Sequence, residues 1–126
     1  MKHCLDSYAI ISLIQGGDGA DKVKRIISGD GQKVMSTVNA AEVYNIILRR
    51  RGEEHADEKF TWFTKLNIEF MPPDVEIARE AGRFKMKYSF ALGDAFCLAT
   101  AVSAECKIVT GDSEFGDVSE VEIVWV

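Results

Sequence analysis

HCLDSYAI, residues 3–10, organises the reading of the whole chain. His3, Cys4 and Leu5 belong to a short apolar run, Lys2–Leu5, of strand rather than helix length. Asp6 follows directly. Ser7 then offers an N-cap for a helical pattern, Tyr8–Gln15, which stops at the pair Gly16-Gly17. An apolar strand running into a carboxylate and then a helix is the motif around which the remaining segments arrange themselves.

Further runs of the same kind are Lys33–Ser36, Ile68–Met71 and Lys107–Thr110, with a last one, Val121–Val126, that alternates less cleanly. Helical patterns lie between them. Asp21–Ser28 places Val23, Ile26 and Ile27 on one face and ends at Gly29. Val38–Arg51 has Thr37 as a candidate N-cap and Gly52 as its stop. Glu53–Leu66 carries Phe60, Phe63 and Leu66 on one stripe. Asp74–Tyr88 opens with an N-cap aspartate after Pro72-Pro73, and Asp94–Ala104 is small and apolar, the signature of the most buried helix. Strands separated by helical crossovers predict an α/β fold with a parallel sheet of four or five strands and helices on both faces. In such sheets the functional crevice lies beyond the carboxyl ends of the strands.

Composition narrows the class. The 126 residues are one domain's worth, predicted to run from 1 to 126 without a linker or repeat. Hydrophobic residues make up 47% and charged residues 28%, which excludes a disordered chain. No apolar stretch approaches membrane-spanning length, and Asp6 falls where an export signal would be apolar. The formal charge of −5 argues against gripping nucleic acid through an overall positive field. It leaves open a nuclease whose acidic site meets nucleic acid through metal ions. Cys4, Cys97 and Cys106 show no CxxC spacing and read as reduced, buried thiols of a cytoplasmic protein.

Most of the acidic residues fall on exposed helix faces. Four do not: Asp6 and Asp112 each follow a strand, Glu42 interrupts the apolar string VNAAEVYNIIL, and Asp94 interrupts ALGDAFCLATA. Strand carboxyl ends and the amino ends of the crossover helices point to the same edge, so these four side chains can meet at one mouth of the sheet. Each also has a local reading: Asp94 as an N-cap, Asp6 and Asp112 as turn residues, Glu42 as the partner of Arg79 or another base. Gathered carboxylates repel, and either take up protons or hold a divalent cation. Without a His/Cys cluster, an all-oxygen set suits Mg²⁺ or Mn²⁺ rather than zinc. The matching chemistry is phosphodiester hydrolysis.

The strings LDSY at Asp6, STVNAAEVYN at Glu42, LGDAFCLATA at Asp94 and VTGDSEF at Asp112, in this order along essentially the whole chain, resemble the PIN-domain family. More narrowly, they look like the VapC-type toxin ribonucleases of prokaryotic toxin–antitoxin systems. The resemblance implies a three-layer α/β/α sandwich and a Mg²⁺- or Mn²⁺-dependent endoribonuclease. It also implies a homodimer and a protein antitoxin whose tail covers the acidic site. Asp6, Glu42, Asp94 and Asp112 match the family's acidic positions, with Asp6, Asp94 and Asp112 as metal ligands and Glu42 toward the attacking water. Ser7 and Thr110 match positions that often carry a hydroxyl beside the site. A further acidic residue found in some members has only Glu114 or Asp117 as counterparts here.

An acidic protein must still hold RNA. Lys85 and Lys87 precede the Asp94 segment and are the candidate backbone contacts; Arg49, Arg50 and Arg51 also complement the end of their helix. Trp62 lies off its helix's main stripe and is expected at a dimer interface. Rival readings are a PIN-like RNA-processing nuclease outside a toxin system and a non-catalytic module with an acidic pocket. A dehalogenase-like or response-regulator-like site is disfavoured because Tyr8 stands where the former needs a second aspartate.

Overall fold

Alternation along the strands divides the molecule into two cores. Cys4, Val34 and Ile108 face one side of the sheet, while their successors Leu5, Met35 and Val109 face the other. Period-two alternation of this kind, apolar on both faces, is what a strand covered by helices above and below requires. The computed structural model describes residues 1–126. Its strands are β1 (Lys2–Leu5), β2 (Gln32–Ser36), β3 (Glu69–Met71), β4 (Lys107–Thr110) and β5 (Ile123–Trp125). Its helices are α1 (Ser7–Gln15), α2 (Ala20–Ser28), α3 (Thr37–Arg51), α4 (Glu53–Phe63), α5 (Val75–Tyr88) and α6 (Leu92–Ala104), with a 3-10 turn at Ser113–Asp117.

The five strands form one sheet in the order β3-β2-β1-β4-β5, every neighbour parallel. Helices α1 to α4 contribute Ala9, Ile10, Val23, Val43 and Phe63 to one core; α5 and α6 contribute Ala81, Phe84 and Leu98 to the other. This is the three-layer α/β/α sandwich. The chain builds outward from β1 to β3, then returns to the other side of β1 to lay down β4 and β5. The reversal puts a topological switch point between β1 and β4, where such sheets open a crevice at their carboxyl ends.

Several boundaries move from those read in the sequence, each for a local reason. Asp6, not Ser7, caps α1: its backbone is extended and its carboxylate accepts from the Ala9 N–H at 2.9 Å. Ser36, not Thr37, caps α3, accepting from the Val38 N–H at 3.1 Å. Helix α6 begins at Leu92 after an N-cap at Ala91, so Asp94 lies in its first turn and is not the cap. Helix α4 stops at Phe63 because the Thr64 hydroxyl bonds back to the Phe60 and Thr61 carbonyls. Leu66 nevertheless packs against the core from the turn beyond. The edge strand β5 is confined to Ile123–Trp125.

Other expectations stand as read. Asp74 caps α5 through the Ile77 N–H at 2.8 Å. The cysteines are free and buried. Helix α6 carries more buried residues than any other. No helix is long and apolar enough to cross a membrane.

Phe63 is fully enclosed and makes edge-to-face contacts with Phe60 and Phe70 at centroid distances of 5.5 and 5.4 Å. Phe63→Ala is therefore expected to lower unfolding stability by about 3–5 kcal/mol in urea titrations. Asp74→Ala, which removes only a cap, is expected to cost about 1 kcal/mol.

Candidate active site

The carboxyl ends of β1 and β4 are joined by a bond between side chains. The Thr110 hydroxyl donates to the Asp6 carboxylate at 2.5 Å and also accepts the Asp112 N–H at 2.9 Å. One threonine thus fixes the carboxylate that ends β1 and the turn that leaves β4. Asp112 closes that turn on itself, accepting from the Glu114 N–H at 2.9 Å. Asp6 is only 2% exposed. Ser7, the first residue of α1, is half-buried beside it.

The other two acidic positions come from helices. Asp94 lies in the first turn of α6, and the amino end of a helix favours a negative charge. Glu42, about a turn and a half into α3, lies against the same end of α6. A Cβ at Gly93 would run into the Glu42 carboxylate, so the bare glycine leaves the space in which that carboxylate rests against α6. Asn39 locks the contact: its amide donates to Glu42 Oε1 at 2.7 Å and to the Gly93 carbonyl at 3.0 Å.

Asn39 is the residue that reading the sequence missed. It is buried, three positions before Glu42 on the same helix face, and its Oδ1 has no protein partner. The signal was available: a second polar residue in the apolar string of α3, at the helical spacing from the glutamate.

The electrostatics show that the four carboxylates share one field. Burial pushes the Asp6 carboxyl up to about 7, against the Thr110 and Ala9 hydrogen bonds that favour its charged form; Asp94 and Asp112 add repulsion. Burial likewise raises Asp94 to about 7, with repulsion from Asp112, Glu42 and the exposed Glu114. None of the four pairs with a lysine or arginine, and Arg79 instead holds Glu76. Asp6 thus feels Asp94 and Asp112, Asp94 feels Asp112 and Glu42, and no base neutralises any of the four.

The carboxylates do not close into a ready-made cage. No three His, Cys, Asp or Glu side chains lie close enough to hold one ion between them. The donor set still fits a hard cation. It is all oxygen, no base compensates it, and repulsion among its carboxyls is what a bound cation would relieve. Mg²⁺ commonly takes only one or two carboxylates and fills its remaining positions with water.

The two candidate RNA lysines each have a partner within the protein. Lys85 donates to the Phe90 carbonyl at 2.9 Å, and Lys87 pairs with Glu120 at 2.7 Å. Glu114 and Asp117 are both exposed.

Comparison with known proteins bears on the architecture. The structure of VapBC2 from Rickettsia felis, bound to a DNA fragment from its promoter, superposes with a TM-score of 0.80 at 13% identity, covering 98% of each chain. VapC20 of Mycobacterium tuberculosis, a sarcin-ricin loop cleaving toxin, gives 0.77 at 16% identity over 95% of this chain and 98% of that one. VapBC-1 from nontypeable Haemophilus influenzae gives 0.77 at 18% identity over 99% and 98%. At such identities the likeness is one of fold. A search of curated proteins finds no match. The family model described as PIN domain matches residues 3–121, nearly the whole chain, and the protein belongs to the PIN domain family.

Proposed function

We propose that this chain is a metal-dependent endoribonuclease that hydrolyses RNA phosphodiester bonds and serves as the toxin of a toxin–antitoxin pair in the cytoplasm. One observation carries the hydrolytic reading. Carboxyls without basic partners follow β1 and β4 on either side of the switch point of a parallel sheet, and burial with repulsion from neighbouring carboxylates raises Asp6 and Asp94 to about 7. Membership of the PIN family and the likeness to VapC-type folds support the toxin assignment. A protein antitoxin and a homodimer are the partners this reading predicts.

Asp6, Asp94 and Asp112 would hold Mg²⁺ or Mn²⁺, directly or through water. When bound, the cation supplies positive charge for the phosphate and favours a nucleophilic water at neutral pH. The protein's own groups do the rest. Glu42, its orientation set by Asn39, accepts a proton from the attacking water as the new P–O bond forms. The bond to the leaving oxygen breaks, and that oxygen takes a proton from solvent. Thr110 keeps Asp6 in one rotamer and ties it to the Asp112 turn, with Ser7 alongside as a further hydroxyl.

Three outcomes are expected. Asp6→Asn and Asp94→Asn each lower Mn²⁺-dependent cleavage of a panel of RNAs by at least about a hundredfold while the circular dichroism spectrum is retained. Chelator abolishes cleavage by the unaltered chain. Undiminished cleavage in either variant, or in chelator, would refute the assignment.

Thr110→Val lowers metal affinity or activity by about 10- to 100-fold, because the carboxylate keeps its charge but loses its orientation. Isothermal titration with Mn²⁺ reads the affinity.

The third outcome concerns pH. Between the ordinary aspartate value of 3.8 and about 7, the folded chain keeps protons on Asp6 and Asp94 that the unfolded chain has released. In chelator these two groups therefore make stability fall as pH rises through that window. Melting temperatures measured across it should show Asp94→Asn with a shallower fall than the parent. Identical slopes would contradict the raised aspartates.

A further inference from the structure

A groove of about 440 Å³ runs along α3 from Glu42 to Arg49, with the start of α6 as its other wall. Its ends differ in charge. At one end is the Glu42 carboxylate; at the other, two helical turns and about 10 Å further along α3, is the Arg49 guanidinium. Between them lies Ile46 on α3, with Leu92 projecting from α6, 55% exposed, and Val38 continuing the apolar lining beyond Glu42. Asn45 Oδ1 accepts from Arg49 Nε at 3.0 Å, which leaves the outer edge of the guanidinium free. Arg49 pairs with no carboxylate.

The helix dipole favours Arg49, Arg50 and Arg51 alike at the end of α3, and of the three only Arg49 lines the groove that Glu42 opens. A held guanidinium without an acidic partner is an anion receptor, since its planar fork matches phosphate oxygens. An exposed leucine beside a hydrolytic carboxylate suits a flat apolar face such as that of a nucleobase. The groove is continuous with Glu42, so whatever occupies it is joined to the group under attack.

We infer that the α3/α6 groove is the subsite for the nucleotide flanking the scissile bond, with its base on Leu92 and its phosphate on Arg49, which acts as a positioning residue held by Asn45. The inference rests on the nuclease reading and adds the path of the strand. It also supplies a cationic contact for RNA where no carboxylate pairs the charge, unlike Lys87, which Glu120 holds.

The test uses a fluorescein-labelled random-sequence RNA of about twenty nucleotides, long enough to span the groove several times over at about 3.4 Å per nucleotide. Affinity is measured by anisotropy with Mn²⁺ in an Asp94→Asn background, and steady-state cleavage is measured in the otherwise unaltered chain. Arg49→Gln is expected to weaken binding about tenfold, the worth of one charge-assisted contact. It should also reduce the slope of log affinity against log salt by about 0.7, one phosphate's share on a single strand. In the active chain it raises KM and leaves kcat in place. Asn45→Ala moves affinity in the same direction by a smaller factor, and Arg49→Lys restores the salt slope but only part of the affinity.

Arg83→Gln, on the exposed face of α5, serves as the control for loss of any surface charge. Equal affinity and salt slope in Arg49→Gln and its parent would overturn the subsite and leave the nuclease reading intact. An altered sedimentation coefficient with unaltered RNA affinity would assign the groove to a contact between copies of the chain and equally overturn it. Failure of the unaltered chain to cleave any RNA with Mn²⁺ would instead bring down the nuclease reading, and the subsite with it.

Discussion

A carboxylate placed at the switch point of the sheet and shut away from water governs the architecture around it. Asp6 ends the central strand, caps the first helix and receives the Thr110 hydroxyl from the neighbouring strand. Those hydrogen bonds favour its charged form, but burial and two nearby aspartates oppose it more strongly. A fold devoted only to stability would place an apolar side chain there or supply a base. Here no base is supplied, and the cost is accepted at the position where the topology opens a crevice.

The second half of the site depends on how closely two helices meet. Gly93 lets α6 approach the Glu42 carboxylate, and Asn39 bonds both sides of that junction. Burial of Asn39 removes it from solvent competition, so the glutamate's direction is set by the interior and not by its own rotamer freedom. The two halves are therefore held by different means: a hydroxyl across the sheet for Asp6 and the Asp112 turn, an amide across helices for Glu42 and the Gly93 backbone.

Much of this was readable from residue order. Apolar runs of strand length, each followed by a helical pattern, carry the parallel sheet. The carboxylates stand out because they interrupt apolar strings such as VNAAEVYNIIL and ALGDAFCLATA. The misassigned caps share one cause. Where Asp6-Ser7 and Ser36-Thr37 offer two capping side chains in a row, the choice depends on which residue is still extended, and that is set by the strand before it. The start of α6 was hidden because Ala91 caps it without a side-chain bond. Asn39 was hidden because an asparagine in a helix looks neutral until its partner from the next crossover is in place. The lysines of α5 carried no sign in the sequence of Glu120, 33 residues from Lys87.

The bond between Thr110 and Asp6 spans 104 positions of sequence. The Asp6 carboxylate has no hydroxyl to receive until β4, the fourth strand in chain order, has paired with β1. Any prematurely terminated product ending before β4 lacks both Thr110 and Asp112. Asp6 and Asp112 thus gain their fixed geometry only when β4 is seated beside β1, and the acidic mouth exists only in a chain whose long-range strand pairing is in place.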